Sequence, residues 1–283
     1  MASDATSFFE NAQRRSAGWL AAWDGQGIHH TATAGDDAGA DWLAREAEAL
    51  GAAKARDGQV VLISGEPGIG KSRITAALEE RLHAEPHLRL RYFCSPHHQD
   101  SALFPFIDQL DRASNFARDD PPAAKLKKLE TSLARAMSLD EDVAFLADLL
   151  SLPPSERHPL PNLSPQRKKE RTLEALIRQL EGLAHQQAVL MVFEDAHWID
   201  PASRELLDLT VERVRDLPVL LIVTFRPEFQ MPWAGQPQVT ILALNRLDRR
   251  NRTALVAPIA GGKDRPRAAL RESRSMSENA LSV

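Results

Sequence analysis

The segment Gly65-Glu66-Pro67-Gly68-Ile69-Gly70-Lys71-Ser72 constrains this chain more than any other, because it fills the pattern G-x-x-x-x-G-K-[ST] completely. Directly before it, Val60-Val61-Leu62-Ile63 is an apolar run bounded by glycine, as expected of a buried parallel strand. Directly after it, Ile74, Leu78 and Leu82 recur every four residues and predict a helix starting near Lys71. Strand, glycine-rich turn and helix in that order aim backbone N–H groups and the positive end of a helix at one point, which suits a phosphate. Lys71 is expected to bridge the β- and γ-phosphates, and Ser72 to offer its hydroxyl to Mg²⁺. Gly65, Glu66, Pro67, Gly68, Ile69, Gly70, Lys71, Ser72 and Arg73 form the candidate nucleotide-binding set.

The rest of the chain supplies a framework of the right kind. Strands are predicted over Arg89 to Cys94, Ala188 to Phe193, Pro218 to Phe225 and Val239 to Leu244. With the strand before the glycine-rich turn, that makes five, each nearly all apolar and most separated by helical patterns. Such alternation predicts an α/β fold, a mainly parallel five-stranded sheet with helices on both faces. Three helical patterns between about Ser101 and Leu152 read as a helical insertion extending to residue 162, the clearest being Leu126, Leu129 and Leu133. Ser164-Pro165 and Asp200-Pro201 are cap and first-turn pairs that open two further helices. Residues 1–40 show no sustained period and are expected to be a poorly ordered lead-in. Residues 41–262 form the folded domain, beginning with an Ala/Glu/Leu-rich helix to about Arg56, and 263–283 an Arg/Ser-rich disordered tail.

Bulk properties exclude several classes. A formal charge of −4 gives no field that would draw in nucleic acid or an anionic membrane, so neither is expected as a partner. A single cysteine, Cys94, allows no intramolecular disulfide and fits a reducing cytoplasm. The longest apolar runs are far shorter than the ~20 residues of a membrane-spanning helix. No basic start followed by an apolar stretch marks a secretory signal.

A nucleotide-hydrolysing site needs acid at the end of a neighbouring strand, and Glu194-Asp195 follows the apolar run ending at Phe193. One carboxylate would orient Mg²⁺ and the other polarise the attacking water, with the two roles left open. Thr224 and Arg226 end another strand at the edge where ligands bind in such sheets, so Arg226 is a candidate sensor of the γ-phosphate. Lys71, Glu194, Asp195 and Arg226 are thus the candidate catalytic residues, and Ser72, Glu194 and Asp195 the candidate metal ligands.

The strings Val60 to Arg73, Cys94-Ser95-Pro96-His97-His98, Leu163 to Thr172, Phe193 to Pro201 and Val223 to Glu228 together resemble the STAND-type AAA ATPase module of bacterial multidomain signalling proteins. The resemblance covers about Asp41 to Gly262. It implies a P-loop NTPase fold, ATP as nucleotide, Lys71 and Ser72 as Walker A residues, Glu194 and Asp195 as the Walker B pair, and Arg226 as the first sensor. The family usually shows two aspartates where Glu194-Asp195 stands, and its Gly-Arg-Glu element is echoed only as Ala44-Arg45-Glu46. After Gly262-Lys263 the family's helical lid is not legible, which suggests a truncated or frame-disrupted relative. The functional expectation is a Mg²⁺-dependent ATPase acting as a regulatory switch, with protein partners or self-association. The alternative is a fragment that holds ATP or ADP without turnover.

Two other features compete for attention. Cys94, His97 and His98 lack a fourth ligand at suitable spacing, so a metal cluster is not expected. Arg167, Lys168, Lys169 and Arg171 read as a solvated helix face rather than a nucleic-acid patch.

Overall fold

The run ahead of the glycine-rich turn forms a strand, and every apolar run predicted as a strand joins it in one sheet. The computed structural model describes residues 20–23, 28–33, 58–84, 86–136 and 139–245. In chain order the strands are β1 (Leu20–Trp23), β2 (Ile28–Thr33), β3 (Gln59–Gly65), β4 (Leu88–Phe93), β5 (Val189–Glu194), β6 (Val219–Phe225) and β7 (Val239–Asn245). The helices are α1 (Lys71–Arg81), α2 (Phe104–Ala113), α3 (Pro122–Arg135), α4 (Asp140–Leu149), α5 (Pro165–Gln186) and α6 (Pro201–Val214).

The sheet order is β1-β2-β7-β3-β6-β5-β4. The five predicted strands, β3 to β7, are mutually parallel and contiguous. β2 adds in parallel to β7, and β1 closes that side antiparallel to β2. Within the lead-in expected to be poorly ordered over residues 1–40, these two strands occupy the described residues 20–23 and 28–33. Leu20-Ala21-Ala22-Trp23 and Ile28-His29-His30-Thr31-Ala32-Thr33 lack the alternation that marks a strand on its own, and their pairing is dictated by the edge that β7 would otherwise leave open. The expected helix up to Arg56, Ala44-Arg45-Glu46 and the tail 263–283 lie outside the described residues.

The two faces of the sheet are covered differently. On one face Val61, Ile63, Leu190, Val192, Leu220, Ile222 and Leu242 bury Ile74 and Leu78 of α1 and Leu82 just after it. Removing each such side chain from water contributes about 2 kcal/mol, which holds the helix start close to the end of β3. On the other face Val60, Leu62, Met191, Phe193, Leu221 and Val223 pack against α2, α5 and α6. Tyr92 of β4 stacks on Phe193 with centroids 4.8 Å apart. The three helices between β4 and α5 include α4, whose Val143 and Leu146 are buried in the same core.

Capping follows the residues that favour it. Ser164 accepts from the Arg167 N–H (3.3 Å) at the start of α5, and Asp200 accepts from the N–H groups of Ala202 and Ser203 at the start of α6. Asp200 also accepts from Leu103 N–H across 3.1 Å, tying the loop before α2 to the start of α6.

Candidate functional site

Gly65 ends β3, and the loop then turns through two glycines in conformations that side chains avoid: Gly68 at φ 73° and Gly70 at φ 111°. Among the described residues, a Cβ placed on either would meet nothing within 4 Å, so these residues leave the loop open. At Gly65 the opposite holds. A Cβ there would lie 2.7 Å from Ile69 Cγ2 and 3.1 Å from Leu244 Cβ, so the loop closes on β7 only because the position is glycine. The Ile69 N–H donates to Glu66 O (3.2 Å), and α1 begins with Ile74 N–H donating to Gly70 O (3.1 Å). Gly70 brings no side-chain cap and the first turn of α1 has no acid, which leaves its positive end for an external anion.

Lys71 opens that helix and is only 8% exposed. Its Nζ donates to Gly65 O at 2.6 Å and Glu66 O at 3.2 Å, so the ammonium folds back over the loop and rests on carbonyl oxygens. Burial lowers its pKa from the ordinary lysine value of 10.5, Asp195 opposes that shift, and Arg226 adds to it. Ser72 and Arg73 are exposed at the start of the helix, as are Glu66 and Pro67 on the loop.

The two acids at the end of β5 go separate ways. Glu194 lies on the α1 face, where its Oε1 accepts from Arg91 Nη2 of β4. Glu79 of α1 completes this group, 2.8 Å from Arg89 Nη1 and 3.8 Å from Arg91 Nε. Asp195 takes a left-handed conformation at φ 56°, and its N–H donates to Thr224 Oγ1 (3.1 Å), which links the ends of β5 and β6. Its carboxylate is 53% exposed and stands 3.9 Å from His197 Nδ1. Arg226, just past β6, lies over the Trp198 ring with 5.3 Å to the centroid.

The structure therefore brings Lys71, Asp195 and Arg226 into one electrostatic neighbourhood and holds Glu194 in another. Arg91 and His197 are among the residues in these groups that were not singled out from the sequence. Arg91 was signalled only by the alternation Leu88-Arg89-Leu90-Arg91-Tyr92, which puts both arginines on the α1 face. His197 had no signal of its own; its side chain is 7% exposed, burial lowers its pKa, and Asp195, Arg226, Lys71 and Glu228 act on it in turn. The residues present fit a nucleoside triphosphate: an open glycine cradle, an uncapped helix start and a buried ammonium. They also fit a hard divalent cation, through the Ser72 hydroxyl and a carboxylate from the end of β5.

A family model described as the AAA ATPase domain matches residues 42–223. The chain belongs to this family. An uncharacterized protein of Rhizobium meliloti (strain 1021) is 32% identical over 197 residues, which is 69% of this chain but 19% of that protein. The chain thus spans about a fifth of that relative's length. Among solved structures, an Escherichia coli HORMA, CdnC and Trip13 complex is 16% identical, with a TM-score of 0.41 over 85% of this chain and 72% of that one. A cbiO1 component of a Clostridium perfringens ABC transporter is 14% identical, with a TM-score of 0.26 over 61% of this chain and 68% of that one. Neither likeness is close enough to bear on the site.

The remaining candidates of this AAA ATPase domain have ordinary surroundings. The basic run at the start of α5 is paired with acids: Arg167 with Glu170 (2.8 Å), Lys168 with Asp148 (2.6 Å), Arg171 with Glu174 (3.1 Å), and Lys169 with Glu205. Little of that charge is left for a polyanion. His98 stacks on Phe104 with centroids 3.6 Å apart, and Cys94 is buried. No helix among the described residues is long and apolar enough to cross a membrane.

Proposed function

We propose that this AAA ATPase domain binds Mg²⁺-ATP at Gly65 to Ser72 and hydrolyses it to ADP and phosphate, as a switch within a larger signalling or regulatory protein. The observation that carries the reading is the buried Lys71 ammonium resting on loop carbonyls beside an open glycine cradle, with Asp195 and Arg226 close by. Phosphate oxygens are better partners for an ammonium than the carbonyls of Gly65 and Glu66, so Lys71 exchanges one for the other when nucleotide binds. Loop N–H groups and the start of α1 hold the β-phosphate.

In the hydrolytic step a water oxygen bonds to the γ-phosphorus while the bond to the β,γ-bridging oxygen breaks. Asp195 would accept the water's proton, and Arg226 would stabilise charge on the γ-phosphate oxygens. Ser72 would hold Mg²⁺, and Glu194, once released by Arg91, would orient its water shell; the ion would supply positive charge against the β- and γ-phosphates. ADP release and rebinding of ATP then toggle contacts with protein partners or a second copy, in a cytoplasmic setting consistent with the single cysteine.

One observation favours a second reading, in which the domain holds nucleotide without turnover: Glu194 is engaged by Arg91. Single-turnover hydrolysis of radiolabelled ATP with Mg²⁺, with binding measured on the same samples, separates the two. Turnover by the intact chain and none by Lys71→Ala supports the ATPase. Binding without turnover supports the second reading, and absence of binding overturns both.

A further inference from the structure

We propose that His197, standing beside Asp195, is a positioning residue for the terminal phosphate, giving a ring nitrogen to the γ-phosphate or its attacking water when ATP is bound. This rests on the reading above of where the γ-phosphate lies. His197 belongs to the short 3₁₀ turn Ala196–Trp198 that follows β5. Its side chain is 93% buried, the complement of the 7% that remains exposed, yet among the described residues neither Nδ1 nor Nε2 has a hydrogen-bond partner. Burying both nitrogens of an imidazole without partners is costly, and such an arrangement persists where another state of the protein supplies them.

Asp195 Oδ1, at 3.9 Å from Nδ1, is beyond hydrogen-bond distance but near enough to be captured by a small shift of either residue. Trp198, tilted 44° to the imidazole at 4.9 Å, limits how the ring can turn. The charged groups that act on the ring are Asp195 beside it, Lys71 of the phosphate loop, and Arg226 and Glu228 after β6. Three of these four are the groups assigned to the γ-phosphate and its water. The fourth, Glu228, is exposed. A terminal phosphate that reaches Asp195 comes close to this ring, which stands 3.9 Å from that carboxylate, whereas a ligand ending at the β-phosphate stops at the loop.

The test uses the full chain, its His197→Ala and His197→Gln variants, Mg²⁺, ADP and a non-hydrolysable ATP analogue. Affinities come from calorimetry. The expected result is that His197→Ala loses about tenfold in affinity for the analogue, the scale of one hydrogen bond to a charged group, with affinity for ADP unchanged. His197→Gln, whose amide can replace one ring nitrogen, keeps most of the preference. On ¹⁵N-histidine-labelled wild type, the His197 ring nitrogens shift with the analogue and not with ADP, which decides the matter even if the alanine variant folds poorly. Equal ring shifts with both nucleotides, or an unchanged preference in a folded His197→Ala, overturns the proposal. Loss of preference in a chain that never turns ATP over leaves this inference standing and removes the hydrolytic one. A wild type that binds neither nucleotide removes both.

Discussion

Arg91 of β4 donates to the carboxylate of Glu194, the last residue of β5, on the face of the sheet that α1 covers. The register sets Arg91 beside Val192 and Phe93 beside Glu194, so the arginine reaches diagonally to the acid while its Nε stays 3.8 Å from Glu79. An acid in that pair is not free to orient the water shell of a metal ion. Replacing Arg91 by Met keeps the apolar stem and removes the cation. The Mg²⁺ concentration that half-saturates ATP binding should then fall about threefold or more, at a stability loss of about 1 kcal/mol for a partly exposed pair. A Mg²⁺ titration of nucleotide binding checks this. A rise in the Mg²⁺ requirement would mean that Arg91 holds Glu194 in its working position.

Gly70 and Gly182 matter for different reasons. At φ 111° an alanine in place of Gly70 is strained by about 1–2 kcal/mol, and it adds a methyl to the space where a phosphate is expected. Gly70→Ala should cost more in ATP affinity than in stability. Gly182 of α5 lies against the end of α3, where an added Cβ would come within 1.6 Å of Ala136 O. Gly182→Ala should therefore destabilise by about 3 kcal/mol through overpacking, with nucleotide affinity per folded molecule unchanged. Paired urea unfolding and calorimetric binding distinguish the two.

Asp142, fully buried in the first turn of α4, accepts from the Leu139 N–H (3.1 Å) and from Arg178 Nε of α5 at 3.2 and 3.1 Å to its two oxygens. It both caps α4 and joins that helix to α5. Asp142→Ala leaves the arginine without its carboxylate and should cost about 3 kcal/mol, as other broken buried pairs do. Replacing both partners with apolar residues should recover part of the loss. A double-mutant cycle in urea measures the coupling, and simple additivity would show that the pair contributes nothing as a pair.

Burial raises the pKa of Tyr92 far above its ordinary 10.0, slightly opposed by Arg112, and raises that of the Cys94 thiol above 9.0, with Asp200 and Asp195 adding to the effect. For acids raised in this way, the folded state keeps protons that the unfolded chain has lost. Stability is thus fully present below the unfolded values and declines as pH climbs above about 9. Tyr92→Phe and Cys94→Ala should each flatten that decline. Thermal melts from neutral to alkaline pH read it directly, and parallel curves for wild type and the double variant would refute it.

Elements whose pattern is local were legible in the chain itself. The strand before Gly65, the stripe Ile74, Leu78 and Leu82, the helix with buried Leu129 and Leu133, and the capped starts of α5 and α6 all form where their periodicity or cap residue places them. β1 and β2 were not legible, since what makes them strands is the free edge of β7 rather than any alternation of their own. At the site, the open conformation of the phosphate loop follows from glycines at fixed spacing. The partners of Glu194 do not, because Arg91 is 103 residues away in the chain.

The sequence by itself determined the α/β alternation, the phosphate loop and the presence of two acids at the end of a strand, because each depends on residues within one turn or one strand of each other. Only the tertiary structure decided which acid stands near Lys71, which is paired away, and that His197 is buried without a hydrogen-bond partner among the described residues. Those outcomes depend on strand order: setting β5 between β4 and β6 brings Glu194 to Arg91 on one side and the Asp195 N–H to Thr224 on the other, and no local pattern encodes which neighbours a strand will have.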